Sequence, residues 1–300
     1  MDVPLEKGIA PRAGKLFAWF FRNAKWYGAE WYMTVVGGLI VVSILAISIL
    51  SALYPKLAPY DPEALVGRPF LSPNSDHLMG TDNLGRDIFS RIIYGAKVVI
   101  SIALISSTFS ALVGIPLGLL SGFIGGKVDR TLSLIMDSIY AFPGLILAIA
   151  MAAMLGPGVL NMSIAIAVVY IPTYFRMVRG QVLSVKEELY VEAARSLGAR
   201  SATILRLYVF PNVIPSIVVV FSLNIADAIL TEAGLSFLGL GIDPSMPDWG
   251  YDLSKGKAFL PGGYWWIITF PGMMIALVAL GFSMLGEGLN EILNPRLTET

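Results

Sequence analysis

At 300 residues, 56% hydrophobic and 14% charged, the chain departs from soluble globular proteins, where about 25% of residues are charged. Zero formal net charge, with no basic tail or stripe, leaves nucleic acid without its electrostatic footprint. The absence of cysteine removes disulfide and thiolate chemistry without fixing a compartment. Apolar residues fall in blocks of about 20, the length that crosses about 30 Å of hydrocarbon. The pattern predicts an all-α polytopic membrane protein with six transmembrane helices.

Residues 1–31 interleave Lys7, Arg12, Lys15, Arg22 and Lys25 with Phe17, Trp19, Phe20, Phe21, Trp26 and Trp31. A cleavable signal has an apolar core and a small-residue cut site instead, so this segment reads as an interfacial stretch on the cytoplasmic face. Residues 32–54 hold the first span, uncharged from Met33 to Leu53. Residues 55–97 form a polar extracytoplasmic connection with Pro55, Pro59, Pro62, Pro69 and Pro73, ending in LMGTDNLGRDIFSRIIYGAK.

The transmembrane core is expected over 98–286. Span two, about 98–122, carries Ser101, Ala103, Ser106, Ser107, Ser110, Ala111, Gly114 and Gly118. Small residues let helices approach closely, so this span belongs inside a bundle. Span three, about 132–154, is interrupted at Pro143-Gly144, and span four covers about 159–175 with Pro172 near its end. A polar loop over 176–211 precedes span five, about 212–240. An outer loop over 241–263 precedes span six, about 264–286. A short cytoplasmic tail, 287–300, follows, and no soluble domain is expected at either end.

Lys and Arg distribution sets the orientation. With the N-terminus inside, inner segments hold fourteen of the 21: five at the start, Lys127 and Arg130, six from Arg176 to Arg206, and Arg296. Both termini and the 176–211 loop are then cytoplasmic.

Enzyme readings fare badly. Ser236 and Ser283 sit in Gly-x-Ser contexts, but a nucleophilic serine needs a base within reach, and the only histidine, His77, lies in an outer loop. Gly126-Lys127 has Ser121 where a phosphate loop needs its first glycine, and Val128 where magnesium needs Ser or Thr. Ionisable residues inside spans are functional candidates by default; here they are Asp137, Asp227 and Glu232. Asp137 can pair with Arg130 on the same face. Asp227 and Glu232 have no cation nearby in sequence; they line a polar translocation path, or Glu232 caps a broken outer end. A stand-alone ion-coupled carrier would use such carboxylates, but the internal repeats of many carriers are not visible. Tyr264, Trp265 and Trp266 serve either as interfacial anchors or as a stacking surface for a sugar. Gln181 is the only glutamine, which fits a heat-adapted composition and compositional drift equally.

The most polar passage between apolar blocks is residues 192–211, EAARSLGARSATILRLYVFP. It reads as a helix–turn–helix: Glu192-Ala193-Ala194 and Arg195, a turn at Leu197-Gly198-Ala199, then a second helix stopped by Pro211. The spacing resembles the cytoplasmic "EAA" loop of ABC-importer permeases, with Tyr208 and Phe210 replacing the usual aliphatics. Residues 78–97, MDSIYAFPGLILAIA (136–150), LTEAGLSFLGLGIDPSMPDWG (230–250), Gly286-Glu287-Gly288-Leu289 and Asn294-Pro295-Arg296 narrow the resemblance to the second permease of the dipeptide/oligopeptide importers, over about residues 33–298.

That resemblance implies one N-terminal helix plus a five-helix core of the methionine-importer type. It implies a homologous second permease, two ATPase subunits and an extracytoplasmic substrate-binding protein as partners. ATP and Mg bind the ATPases, and no cofactor binds this chain. The loop docks in an ATPase groove, with Ala193, Ala194 and Ala199 as the contact face, Glu192 as an acceptor for an ATPase arginine, and Gly198 permitting the turn. Relatives of this type carry di- and oligopeptides, nickel or oligosaccharides; peptide is the expectation for this chain.

Overall fold

A 37-residue helix runs through the centre of the molecule and every other span is placed against it or its neighbours. The computed structural model describes residues 28–293 apart from Pro55 and Pro244. The helices are α1 (Gly28–Leu53), α2 (Ile88–Ile124), α3 (Gly126–Tyr140), α4 (Gly144–Leu155), α5 (Val159–Val185), α6 (Leu189–Ser196), α7 (Ser201–Ile204), α8 (Phe210–Phe237), α9 (Trp249–Gly256) and α10 (Trp266–Leu293). No strand occurs among the described residues. The interfacial segment expected before residue 28, and the tail from Asn294 with Arg296, lie outside the described residues.

Five continuous helices are long and apolar enough to cross a membrane: α1, α2, α5, the run from Ser201 to Phe237, and α10. The expected third span is instead a pair, α3 and α4, bent by 85°. Pro143 supplies the break. It has no N–H to donate, disfavours helical geometry at Phe142, and itself sits at φ −56°, ψ 124°.

The closest packing is between α2 and α5. Ser106, Ser110, Gly114, Gly118 and Gly122 recur every fourth residue on one face of α2, and both serines are buried. A Cβ on Gly114 would stand 2.7 Å from the Ile171 carbonyl oxygen, and one on Gly118 would stand 2.7 Å from that of Phe175. Ser110 Oγ lies 2.9 Å from the Ala167 carbonyl oxygen. This is the small-x-x-x-small geometry by which helices associate in lipid, where close contact replaces the missing hydrophobic drive. The small residues of span two thus face the bundle, as their composition implies.

Helix boundaries differ from the sequence reading: α1 begins at Gly28 and α10 runs to Leu293, past the expected 286, and three further differences have a local cause. α2 begins at Ile88, not near 98, because the Asp87 carboxylate caps it through the Ser90 amide (2.8 Å) and hydroxyl (2.7 Å). The outer connection is therefore irregular only as far as Asp87. α5 continues to Val185, ten residues past the expected end of span four, because Arg176 and Arg179 are paired with Asp137 and Asp129 of α3. The helix beginning at Ser201 does not stop at Pro211. Residues Leu205–Val209 form a π-helical turn in which the Phe210 amide bonds back to Leu205, and α8 continues through Pro211 and Pro215. The wider turn accommodates a residue lacking a donor.

The α2–α5 contact predicts the effect of filling it. Gly118→Leu should prevent a monodisperse peak in size-exclusion chromatography of the purified protein. Gly118→Ala should lower its thermal midpoint, by the equivalent of about 1–3 kcal/mol of overpacking. An unchanged midpoint for both variants would contradict the packing.

Candidate functional site: the inner loop, the mid-membrane cavity and the outer cap

The loop between α5 and α8 starts at Lys186, whose ammonium donates to the Gly122 carbonyl near the C-terminal end of α2 (3.1 Å). α6 follows, and Gly198 turns the chain at φ +82°, a backbone state that favours glycine. Nothing lies within 4 Å of where its Cβ would be, so the constraint is conformational and not steric. α6 is fastened by Val191 (0% exposed), which joins Val178 and Val182 of α5 with Ile204, Val209 and Val213 in one apolar cluster.

This fastening fixes which face of α6 looks outward. Ala194 is buried at 7% and Ala199 packs on the same inner cluster. The expected contact face is thus divided: Ala193 is exposed, Ala194 is covered and Ala199 is half-buried. Ala193, Glu192 and Arg195 are exposed, and Leu189 and Leu197 are 81% and 88% exposed. Pro211 lies inside the continuous helix leading to α8 and not at the end of a docked element.

The three carboxylates expected in a translocation path fall in different places. Asp137, on α3, pairs with Arg176 of α5 at 2.7 Å, with both side chains solvent-facing, and borders an open cavity of about 700 Å³ with Asp129, Arg130 and Arg179. Its partner is not Arg130: the crossing of α3 over α5 brings Arg176 closer than the helical repeat does. Glu232 is fully buried beneath α9; Ser236 Oγ lies 3.2 Å from its Oε1 and 3.0 Å from Asp248 Oδ2. Asp248 in turn caps α9 through the Tyr251 amide (2.8 Å). Glu232 therefore belongs to the joint between α8 and α9. Asp227 alone of the three opens into the cavity at the α3–α4 break, about 530 Å³, lined also by Tyr140, Pro143, Tyr170, Thr173 and Thr231.

The outer cap contains residues that sequence reasoning did not single out. Arg91, 1% exposed, makes a two-pronged contact with Asp252 of α9 through Nε (2.9 Å) and an Nη (2.7 Å), and donates to the Pro62 carbonyl (3.0 Å). Burial pushes the Asp252 carboxyl up, against the opposing pull of Arg91. Asp243, in the exposed loop, is held below its ordinary range by the Ser245 amide and hydroxyl. Trp249 is fully buried and donates to the Ile92 carbonyl (3.1 Å); Trp266 is buried and donates to that of Thr81 (3.1 Å). Tyr264 stacks on Phe70 at 4.3 Å. Of the aromatic trio, only Trp265 is largely exposed, at 50%. His77 is buried against Asp87 (2.9 Å). The conspicuous motifs at 78–97 and 230–250 thus build a cap that binds the outer ends of α2, α8 and α10 together.

Comparison with known proteins gives this arrangement its class. Residues 114–299 match the family described as "Binding-protein-dependent transport system inner membrane component", and the chain belongs to that family. It is a multi-pass membrane protein. It is 40% identical over 268 residues, 89% of this chain and 88% of the relative, to the glutathione transport system permease protein GsiD of Pectobacterium atrosepticum. It is 38% identical to the dipeptide transport system permease protein DppC of Alkalihalophilus pseudofirmus, over 88% of this chain and 86% of that one. It is equally similar to the probable D,D-dipeptide transport system permease protein DdpC of Escherichia coli, over 88% of each. The fold is that of the inward-facing MetNI methionine ABC transporter, with TM-scores of 0.54 and 0.56 at 17% and 19% identity. The matches cover 68% and 69% of this chain and 96% and 98% of those chains, in keeping with the five-helix core that the family resemblance implies.

The outer cap yields a measurable expectation. Arg91→Met strands the Asp252 carboxylate in a buried site and should cost about 3–5 kcal/mol, whereas Arg91→Met with Asp252→Leu should recover most of it. Thermal unfolding of the purified variants gives the comparison, and strictly additive losses would contradict the pairing.

Proposed function

We propose that the chain is one of two permease subunits of a binding-protein-dependent ABC importer for di- and oligopeptides, receiving its energy at α6. Its partners on this reading are a homologous permease, two ATPase subunits that bind ATP and Mg, and an extracytoplasmic substrate-binding protein. The chain itself hydrolyses nothing and holds no cofactor. The N-terminus, the C-terminus and the α5–α8 loop are cytoplasmic, in accord with the Lys and Arg distribution.

One observation carries the reading. α6 turns Leu189 and Leu197 fully outward from a polar loop while Val191 and Ala194 anchor it from behind. Large apolar side chains held out by a buried support fit a partner's groove. Glu192, exposed beside them in the first turn of the helix, is placed to accept a charge-assisted bond from that partner. Peptide as cargo rests on the relatives, whose names cite glutathione, dipeptides and D,D-dipeptides. None of these names cites nickel or an oligosaccharide, and the aromatic trio that would have favoured a sugar is mostly committed to the cap.

Two variants test the coupling. Leu197→Asp should weaken co-purification of the ATPase subunits and lower ATP-dependent uptake at least tenfold, with the permease still present in the membrane. Gly198→Val, strained at a positive φ, should keep the ATPases bound but lose most of their stimulation by loaded binding protein. Wild-type stimulation in liposomes for both variants would overturn the assignment of α6.

A further inference from the structure

We propose that the mid-membrane cavity at the break between α3 and α4 is a binding site for a primary ammonium group of the cargo, with the Asp227 carboxylate as counter-ion and the Tyr170 hydroxyl oxygen as second acceptor. The inference deepens the peptide reading and rests on it for the identity of the cargo.

Asp227 lies ten residues from the outer end of α8, about 15 Å along the axis. This depth is near the bilayer midplane, where a carboxylate is expensive and functional by default. No ion pair or side-chain hydrogen bond engages its carboxylate among the described residues; its carbonyl, not its carboxylate, accepts from Thr231. By contrast, Asp129, Asp137 and Asp252 each have an arginine. Arg176, three residues beyond Thr173 on α5, is committed to Asp137 at 2.7 Å and to the face of the Tyr140 ring at 3.9 Å.

The hydroxyl protons can be followed. Thr231 Oγ1 donates to the Asp227 carbonyl at 2.8 Å. Its one proton is thereby used, so the 2.9 Å contact between Tyr170 and Thr231 has Tyr170 as donor. The free lone pairs of the Tyr170 oxygen are left to accept. The cavity therefore offers a carboxylate and a phenolic oxygen as acceptors, flanked by the aromatic rings of Tyr140 and Phe142, which also attract cations. Its volume, about 530 Å³, suits a small peptide. Discontinuous helices near the midplane are where transporters place their cargo sites, and the α3–α4 break borders this one.

The natural absence of cysteine allows a direct test. In the complete purified importer, a Thr173→Cys substitution places a single thiol of this subunit in the cavity wall, and its maleimide labelling rate is followed on this subunit's band. Alanyl-alanine at millimolar concentration should slow labelling at least fivefold, and N-acetyl-alanyl-alanine should not. Added Asp227→Asn should abolish protection while the complex still elutes as a single peak in size-exclusion chromatography, and Asp227→Glu should restore it. Protection by N-acetyl-alanyl-lysine as well would assign any ammonium, and its absence would assign the peptide N-terminus. Equal protection by the acetylated and free dipeptides, or protection that survives Asp227→Asn, would overturn the site. Absence of protection would also overturn it. ATP-dependent uptake of alanyl-alanine by the wild type reads the peptide proposal separately, so each can fail while the other stands.

Discussion

Along the α2–α5 contact, Gly114 and Gly118 come against the Ile171 and Phe175 carbonyls, Ser110 bonds to that of Ala167, and Gly122 packs on the Val182 side chain. In lipid, where burying another leucine gains nothing over contact with acyl chains, this close approach is the interaction that holds the bundle. The rest of the inner half is referred to it. α5 is fixed along its length, so Arg176 and Arg179 are placed for the carboxylates of α3. Lys186 reaches Gly122 at the same seam. Val178 and Val182 then offer the floor on which α6 and the base of α8 settle. A widened α2–α5 seam would unseat each of these in turn.

The sequence and the structure agree where one physical signal dominates. Apolar block length gives the spans, the small-residue face of α2 gives its central place, and a glycine between two polar helical turns gives the reversal at Gly198. They part where a local signal is outvoted by a distant contact. Charged residues at 176 and 179 mark the end of the apolar block but not of the helix, since α3 neutralises them. Pro211 reads as a stop because its missing donor breaks ordinary α-geometry, and a π-turn absorbs it. Ala194 carries no mark of the side it faces until Val191 is seen to anchor the helix. The Arg91–Asp252 pair joins residues 161 apart, a separation no periodicity can announce.

The outer half follows a different economy. Its polar residues are numerous and almost all are spent on structure: Asp87 on a helix start, Arg91 on Asp252 and Pro62, Glu232 and Ser236 on Asp248, both buried indoles on carbonyls. Buried polar groups are tolerated when partnered, and in the cap most are, Glu232 Oε2 being a buried oxygen without a partner. Motifs that look functional because they are polar and irregular are here the means of holding three span ends in register. The span carboxylates divide on the same basis, and Asp227 stands apart because its side chain has no such partner.

That contrast bears on how energy and cargo would meet. The helix from Ser201 to Phe237 is unbroken, so it joins the α6 support at its inner end to Asp227 in its outer half. Val209 and Val213 tie its base to the cluster beneath α6, and a push on α6 is therefore a push on α8. The π-turn at Leu205–Val209, just before Pro211 and Pro215, is where this rod widens from α-helical hydrogen bonding. It lies between the support and the span, where a small change in helical register rotates everything beyond it. Tyr170 belongs to α5, which the α2 seam holds still. On the proposed assignment, a rotation of α8 against α5 would change the spacing of Asp227 and Tyr170 and so tie the acceptor pair to the α5–α8 loop.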